Sequence, residues 1–342
     1  MGSLLKRSLF SALLVVLPHS ALALSWQEGW ELVAKAQAGD AQVTRALIEA
    51  YNQGDAEAGA AIGILYLNGI TYPRDLAKAR SYLEWARGKG SGWASAVLAL
   101  IYLNGYGVPA DSKRGFSLLE EAGSRGYPGG RALQALNAYV EAHSTGQFNT
   151  EAVASAARRA VELAKTGDPI SLSVLARFHL VGVPTAGVPQ DWAKARALWE
   201  EAMNKGYLLA GNFLVPMYYY GYGGPADQAK AIALAKQLVG MGPQPTSFLA
   251  TAYYFGVAGE PKDPKKACDL ASQSRAYVQG MAIYGLCLLD GHLPGGRAQG
   301  YAWLLKAAAG GNDLAKSLAP EWEGRLSRAE IEEAKRLLPN LR

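Results

Sequence analysis

The sequence predicts an all-α fold, a right-handed α-solenoid of helix-turn-helix repeats with a cap at each end. Three observations carry that expectation. Asp75, Asp111, Asp191, Asp227 and Asp263 each open a short segment in which a Lys or Arg sits three residues on. The steps from Asp75 to Asp111, Asp191 to Asp227 and Asp227 to Asp263 are each 36 residues, and a fixed period of this size marks stacked copies of one supersecondary unit. Within each segment apolar residues return at the i, i+3, i+4, i+7 spacing of a single helical face. Such an array touches only its own neighbours and offers a long curved surface, which suits a protein that holds other proteins.

Residues 1–23 read as a cleaved secretory signal. Lys6 and Arg7 form a basic start, residues 8–17 an apolar run too short to span a membrane, and Ala21-Leu22-Ala23 a small-residue cleavage site. Cleavage after Ala23, with no cysteine nearby to accept a lipid, sends the chain to a secretory compartment, which in a bacterium is the periplasm. Losing Lys6 and Arg7 takes the formal net charge from +5 to +5 − 2 = +3. The remaining charges are interspersed along helical segments rather than gathered in basic blocks, which disfavours nucleic acid as a partner. A 342-residue chain that is half apolar exceeds the usual single core, whereas a repeat array lengthens without that limit.

Residues 24–53 form the expected N-terminal cap, two helices at 25–37 and 41–53 bounded by Gly39-Asp40 and Gly54-Asp55. About seven repeats follow over residues 54–319. In the first, Ala61, Ile62, Leu65 and Tyr66 lie on the opening helix, and Asn68-Gly69 ends it because glycine takes the left-handed conformation a helix terminus needs. Asp75 then caps the second helix, whose apolar face is Ala79, Tyr82, Leu83 and Ala86. The frame returns around Tyr102 and Asp111, His179 and Asp191, Tyr218 and Asp227, Tyr253 and Asp263, and without the aspartate around Leu288 and Trp303. Residues 126–167 are a degenerate copy with an altered connector at 143–149. Residues 320–342 are the C-terminal cap, where Ser327-Arg328-Ala329-Glu330 is a capping-box start and Pro339 the stop.

The run Tyr-Leu-Asn-Gly-Tyr-Gly-Val at 102–108, with Asp111 and the ending from Glu121-Ala122 to Gly126, resembles the Sel1-like repeat, a relative of the tetratricopeptide repeat. The resemblance covers roughly residues 54–319. It implies a protein-binding role without catalysis. Members of the family include adaptors of envelope assembly, regulators of membrane sensors, and immunity proteins that neutralise phospholipase toxins delivered by type VI secretion. The last is the specific expectation here, with a secreted phospholipase effector as partner. Cysteine-containing relatives have been proposed to bind cell-wall-related compounds, and Lys266-Ala267-Cys268-Asp269-Leu270 resembles their second-helix motif. Those proteins use more cysteines at a shorter spacing.

No constellation for chemistry stands out, and no cofactor or metal is expected. His143, His179 and His292 fall in different repeats without zinc-site spacing, and His179 stands where other copies have tyrosine. Glu120-Glu121 and Glu200-Glu201 recur at one position of the second helix and read as solvated faces. Cys268 and Cys287 lie nearly symmetrically about a turn at 277–280, so antiparallel helices bring them opposite each other as a bridge, the alternative being two small buried thiols.

Candidate partner-binding residues are those where a copy breaks its own rule. Tyr220 and Phe255 replace the Asn68 and Asn104 of other copies; with Tyr219, Tyr222 and Tyr254 they put aromatic side chains on adjacent repeats. Tyr218 and Tyr253 match the core tyrosine. Trp85 is the remaining candidate, at a position that is Glu, Gln or Lys elsewhere, either facing solvent or stacked on Trp93.

Overall fold

The computed structural model describes residues 23–147 and 150–341. All of the expected signal except Ala23 lies outside them, as do residues 148 and 149 of the altered connector. The described residues form eighteen α-helices and no strand, apart from one isolated bridge between Val183 and Val188. The first pair is α1 (Trp26–Gln37) and α2 (Ala41–Asn52), over the stretch expected to cap the array. Then come the pairs α3 (Ala56–Asn68) with α4 (Leu76–Gly88), α5 (Gly92–Asn104) with α6 (Ser112–Ser124), and α7 (Pro128–Ser144) with α8 (Glu151–Ala164). They continue as α9 (Pro169–Val181) with α10 (Trp192–Asn204), α11 (Gly211–Tyr220) with α12 (Gln228–Leu238), and α13 (Pro243–Phe255) with α14 (Pro264–Ser274). Last are α15 (Val278–Leu289) with α16 (Arg297–Ala309), and α17 (Asp313–Glu323) with α18 (Arg328–Leu337). The helix expected at the C-terminus is thus preceded by α17, which begins before residue 320. Asn312 accepts a hydrogen bond from the Ala315 amide at the start of α17, and Pro320 sits inside that helix.

The recurring aspartate works at both ends of its loop. Each side chain accepts from an amide of the following helix: Asp75 from Lys78, Asp111 from Arg114, Asp191 from Lys194, Asp227 from Lys230 and Asp263 from Lys266, at 2.8–3.0 Å. Each backbone N–H donates to the carbonyl of the core position before the loop, which is Tyr66, Tyr102, His179, Tyr218 or Tyr253. The basic residue three positions on then lies over the same tyrosine. Arg114 sits 4.0 Å from the Tyr102 ring centroid, Lys230 4.1 Å from Tyr218 and Lys266 4.0 Å from Tyr253. One four-residue motif therefore caps a helix, closes a loop and holds a cation on an aromatic face. His179 keeps the carbonyl contact, and its ring Nδ1 lies 3.1 Å from the Pro189 carbonyl. Burial, with Lys194 nearby, holds its imidazole below the ordinary histidine range.

First helices are apolar on every side, as α3 and α5 are, because they pack against their own second helix and against both neighbouring first helices. The helices α1, α3, α5, α7 and α9 touch in succession, as do α11, α13 and α15. They form the inner layer. Second helices lie outside and are linked by side chains. Glu121 accepts from Arg87 of the preceding pair at 3.0 Å and from Ser95, and Glu200 accepts from the Tyr218 hydroxyl at 2.8 Å. The expectation of two wholly solvated carboxylate pairs is corrected here: Glu120 and Glu201 are exposed, whereas Glu121 and Glu200 join neighbouring helices.

The winding is tight enough for the chain to meet itself after one turn. Asn68 Nδ2 donates to the Gly206 carbonyl at 3.2 Å, and the Arg74 guanidinium donates to the carbonyls of Gln237 and Val239. Gly206, at φ +97°, lies against Val33, and a Cβ there would sit 2.9 Å from its Cγ1. The centre of this turn is filled by α1. Trp30 packs on Trp93 at 4.8 Å and edge-on to Tyr207 at 6.1 Å, and its Nε1 donates to the Tyr127 hydroxyl. That hydroxyl donates in turn to Asp168, whose carboxylate also accepts from the Ser171 amide and hydroxyl. Burial raises the Asp168 carboxyl above the usual range.

Candidate protein-binding surface

The tyrosine runs of α11 and α13 divide by position within the repeat. Tyr218 and Tyr253 are buried at the core position. Two residues on, the chain leaves the helix, and Tyr220 is 47% exposed and Phe255 41% exposed. Tyr222, in the loop after α11, is 41% exposed and stands edge-on to Trp192, which is itself exposed, at 4.9 Å. Tyr220 lies 5.5 Å from Tyr222 and 5.1 Å from Tyr219, and Tyr219 is packed on the buried Phe248 at 5.0 Å. Trp192, Tyr222, Tyr220 and Tyr219 thus form a continuous aromatic strip. Trp192 was not among the residues singled out in the sequence. Its signal was its place directly after Asp191, where other copies carry Leu76, Ser112, Gln228 and Pro264.

A polar set underneath fixes this strip. The Tyr220 hydroxyl donates to Gln279 Oε1 at 3.4 Å, Gln279 Nε2 donates to Thr251 at 2.8 Å, and Asn312 also donates to Gln279. Three helices beyond its own thereby orient Tyr220. Burial of that hydroxyl, with Tyr219 and Tyr277 near, drives its ionisation far above the ordinary tyrosine range, so it stays a neutral donor. The result is a rigid aromatic face with its polar tip satisfied from beneath.

Two of the expected site residues are placed differently. Tyr254 is only 8% exposed, and its hydroxyl donates to Asp290, so it is a packing residue of the α13–α15 junction. Phe255 leans on Tyr254 at 5.0 Å, and among the described residues no ring contact joins it to the Tyr220 strip. Trp85 is half buried. It packs on Tyr51 of α2 at 4.5 Å, and Gly59 lets it approach, because a Cβ there would lie 2.6 Å from its ring. Trp93 is fully buried against Trp30, so the expected stacking of Trp85 on Trp93 does not occur.

Cys268 on α14 and Cys287 on α15 are joined by a disulfide, with their Cα atoms 5.8 Å apart. The bond ties the second helix of one pair to the first helix of the next, and a disulfide suggests an oxidising compartment. No helix among the described residues is long and apolar enough to cross a membrane, and none of them form a group of three or more His, Cys, Asp or Glu that could hold a metal ion. The Trp30–Tyr127–Asp168 chain is polar but fully enclosed, which makes it a lock on the superhelical turn rather than a place for a substrate.

A family model described as Sel1 repeat matches residues 56–86, 94–127, 169–207, 209–239, 247–274 and 278–312, more than half of the chain. The unmatched stretch between the second and third segments is the α7–α8 pair, which keeps the helix-turn-helix form. Among solved structures, the chain is similar to a protective antigen of uropathogenic Escherichia coli with an SLR fold, at 22% identity and a TM-score of 0.42. That match covers 85% of this chain and 62% of the other. It is also similar to a Sel1 repeat protein from Oxalobacter formigenes, at 24% identity and a TM-score of 0.41, over 86% of each chain. No curated protein matches significantly.

Proposed function

The chain belongs to the Sel1 repeat family, and from that premise we propose that it is a non-enzymatic periplasmic protein that holds a protein partner on its aromatic strip. Sel1 repeats are protein–protein interaction units and generally serve as non-catalytic scaffolds. The observation that carries the reading is the run Trp192–Tyr222–Tyr220. Large aromatic rings, exposed yet held in place, form the kind of anchor that dominates binding energy, because little side-chain freedom remains to be lost. The disulfide and the secretory signal read from the sequence support an oxidising address.

Within this reading the partner is a phospholipase effector of type VI secretion, and the chain acts as its immunity protein by stoichiometric occlusion. That identity follows from what the family resemblance implies. Its test is protection: cells expressing the full chain survive the cognate toxin in the periplasm, and a version without residues 1–23 does not protect. Inhibition saturates near one equivalent. Tyr220→Ala with Tyr222→Ala weakens partner binding by about 2 kcal/mol on protein that keeps its helical spectrum, with a stability loss of about 1 kcal/mol from the missing Tyr220–Gln279 contact. Unchanged binding would remove the strip from the interface, and protein that protects against no lipase would place the chain among envelope adaptors instead.

A further inference from the structure

Leu24 stands directly after the expected cleavage site at Ala23, and the fold holds it by both its side chain and its backbone. The side chain is partly buried against the core, and the backbone nitrogen donates to Asp55 Oδ2 at 2.7 Å. That contact spans 31 residues and ties the chain just ahead of α1 to the start of α3, on which α1 already packs. Asp55 divides its two oxygens. Oδ1 accepts from the Ala58 amide at 2.7 Å and caps α3, while Oδ2 takes Leu24.

Two more carboxylates stand close by. Glu28 of α1 accepts from the Ser25 amide at 2.8 Å, and Glu57 of α3, buried near enough to Asp55 to feel its charge, accepts from the Ser91 hydroxyl at 2.6 Å. No Lys or Arg forms an ion pair with Asp55, Glu28 or Glu57 among the described residues. Negative charge without a basic partner therefore gathers where Leu24 meets α3.

We propose that hydrolysis of the Ala23–Leu24 bond supplies the cation for this place: the new Leu24 α-ammonium pairs with Asp55 and locks α1 onto α3, so that processing itself tightens the fold. A signal endopeptidase adds one water across the bond, Ala23 leaves as a carboxylate, and the freed amine of Leu24 takes a proton at neutral pH. In the precursor the same nitrogen is an amide and donates a neutral hydrogen bond. As an ammonium it donates a charge-assisted one, roughly twice as strong, and 2.7 Å is already a length such a bond takes. The start of α3 carries about half a positive charge that opposes the ammonium, and the carboxylates outweigh it. Because α1 brings Trp30 to the centre of the superhelical turn, the uncleaved chain holds that turn less firmly than the mature one. The inference rests on the secretory reading of residues 1–23 and not on the identity of any partner.

The test uses protein exported from its full-length precursor, whose mass should correspond to residues 24–342. Amide hydrogen exchange in α1 is then compared, at a pH where the amine is charged, before and after selective acetylation of the α-amine. Acetylation keeps an N–H donor and removes the charge. It should speed α1 exchange about ten-fold, equivalent to an amine that titrates about one pH unit higher in the folded chain than in the unfolded one. In Asp55→Asn, which keeps the cap on the Ala58 amide, acetylation should leave exchange unchanged. A chain that retains Ala23 as its first residue should exchange as the acetylated one does, because its charge sits one residue farther from Asp55. A mature end at any other residue would overturn the proposal together with the cleavage reading. A mature end at Leu24 with exchange indifferent to acetylation, or with the same ten-fold effect in Asp55→Asn, would overturn the proposal alone and leave the cleavage reading standing.

Discussion

Reducing the Cys268–Cys287 bond should weaken one junction of the array and leave the rest intact. The cysteines are 19 residues apart in sequence, and closing a loop of that length removes unfolded-state entropy equivalent to about 3 kcal/mol. Because the bond joins α14 to α15, it constrains the boundary between two repeats. In an array whose stability is a sum of repeat and neighbour contributions, that loss falls on α15–α18 first. Reduction keeps both sulfur atoms in place, at 2% and 0% exposure, so it isolates the cross-link. A Cys268→Ala/Cys287→Ala variant adds the packing lost by two buried atoms, a further ~1–2 kcal/mol. Urea unfolding of oxidised and reduced protein, read by circular dichroism and by amide hydrogen exchange, should show the C-terminal helices opening first after reduction. Coincident transitions within about 0.5 kcal/mol, with unchanged exchange in α15–α18, would refute the reasoning, as would two alkylatable thiols in protein taken from the periplasm.

Three further outcomes follow from single residues. Glu57 accepts from the Ser91 hydroxyl at 2.6 Å, and burial pushes its pKa up from 4.5 to about 7. The folded state thus favours the proton; that stabilisation is complete below pH 4.5 and is lost as pH rises through 7. Glu57→Gln should therefore match the parent near pH 4 and exceed it by roughly 3 kcal/mol at pH 8, and a pH-independent difference in urea midpoint would contradict this. Trp30→Ala should cost about 3–5 kcal/mol because Trp93, Tyr127 and Tyr207 all lose their common neighbour, and a loss under 1 kcal/mol would show that α1 is not the centre of the turn. Asp227→Ala should cost about 1 kcal/mol and raise amide exchange in the first turn of α12, with Asp227→Asn restoring most of it.

How far the sequence reached is clearest residue by residue. The aspartate that opens each second helix, the capping box at Ser327 and the Cys268–Cys287 pairing were all readable, because each depends on residues at most one repeat away. Caps, helix faces and loop closures are local chemistry, so the periodicity that reveals them also fixes them. The same holds for the all-helical fold. Tyr220, Tyr222 and Phe255 could be named as exposed because they sit just past the core position where the helix ends.

What the sequence could not give was everything that crosses the superhelical turn. Trp30 met Tyr127 and Tyr207, Asn68 reached the Gly206 carbonyl, and Arg74 reached carbonyls more than 160 residues away. Arg177 came to face an apolar cleft lined by five helices, α5, α6, α7, α9 and α11, and by Tyr106, Tyr207 and Leu209 between α-helices. These contacts depend on the pitch of the array, which accumulates small rotations at every repeat boundary, and no single repeat encodes that sum. A local pattern determines each unit, whereas only the wound chain decides which units meet.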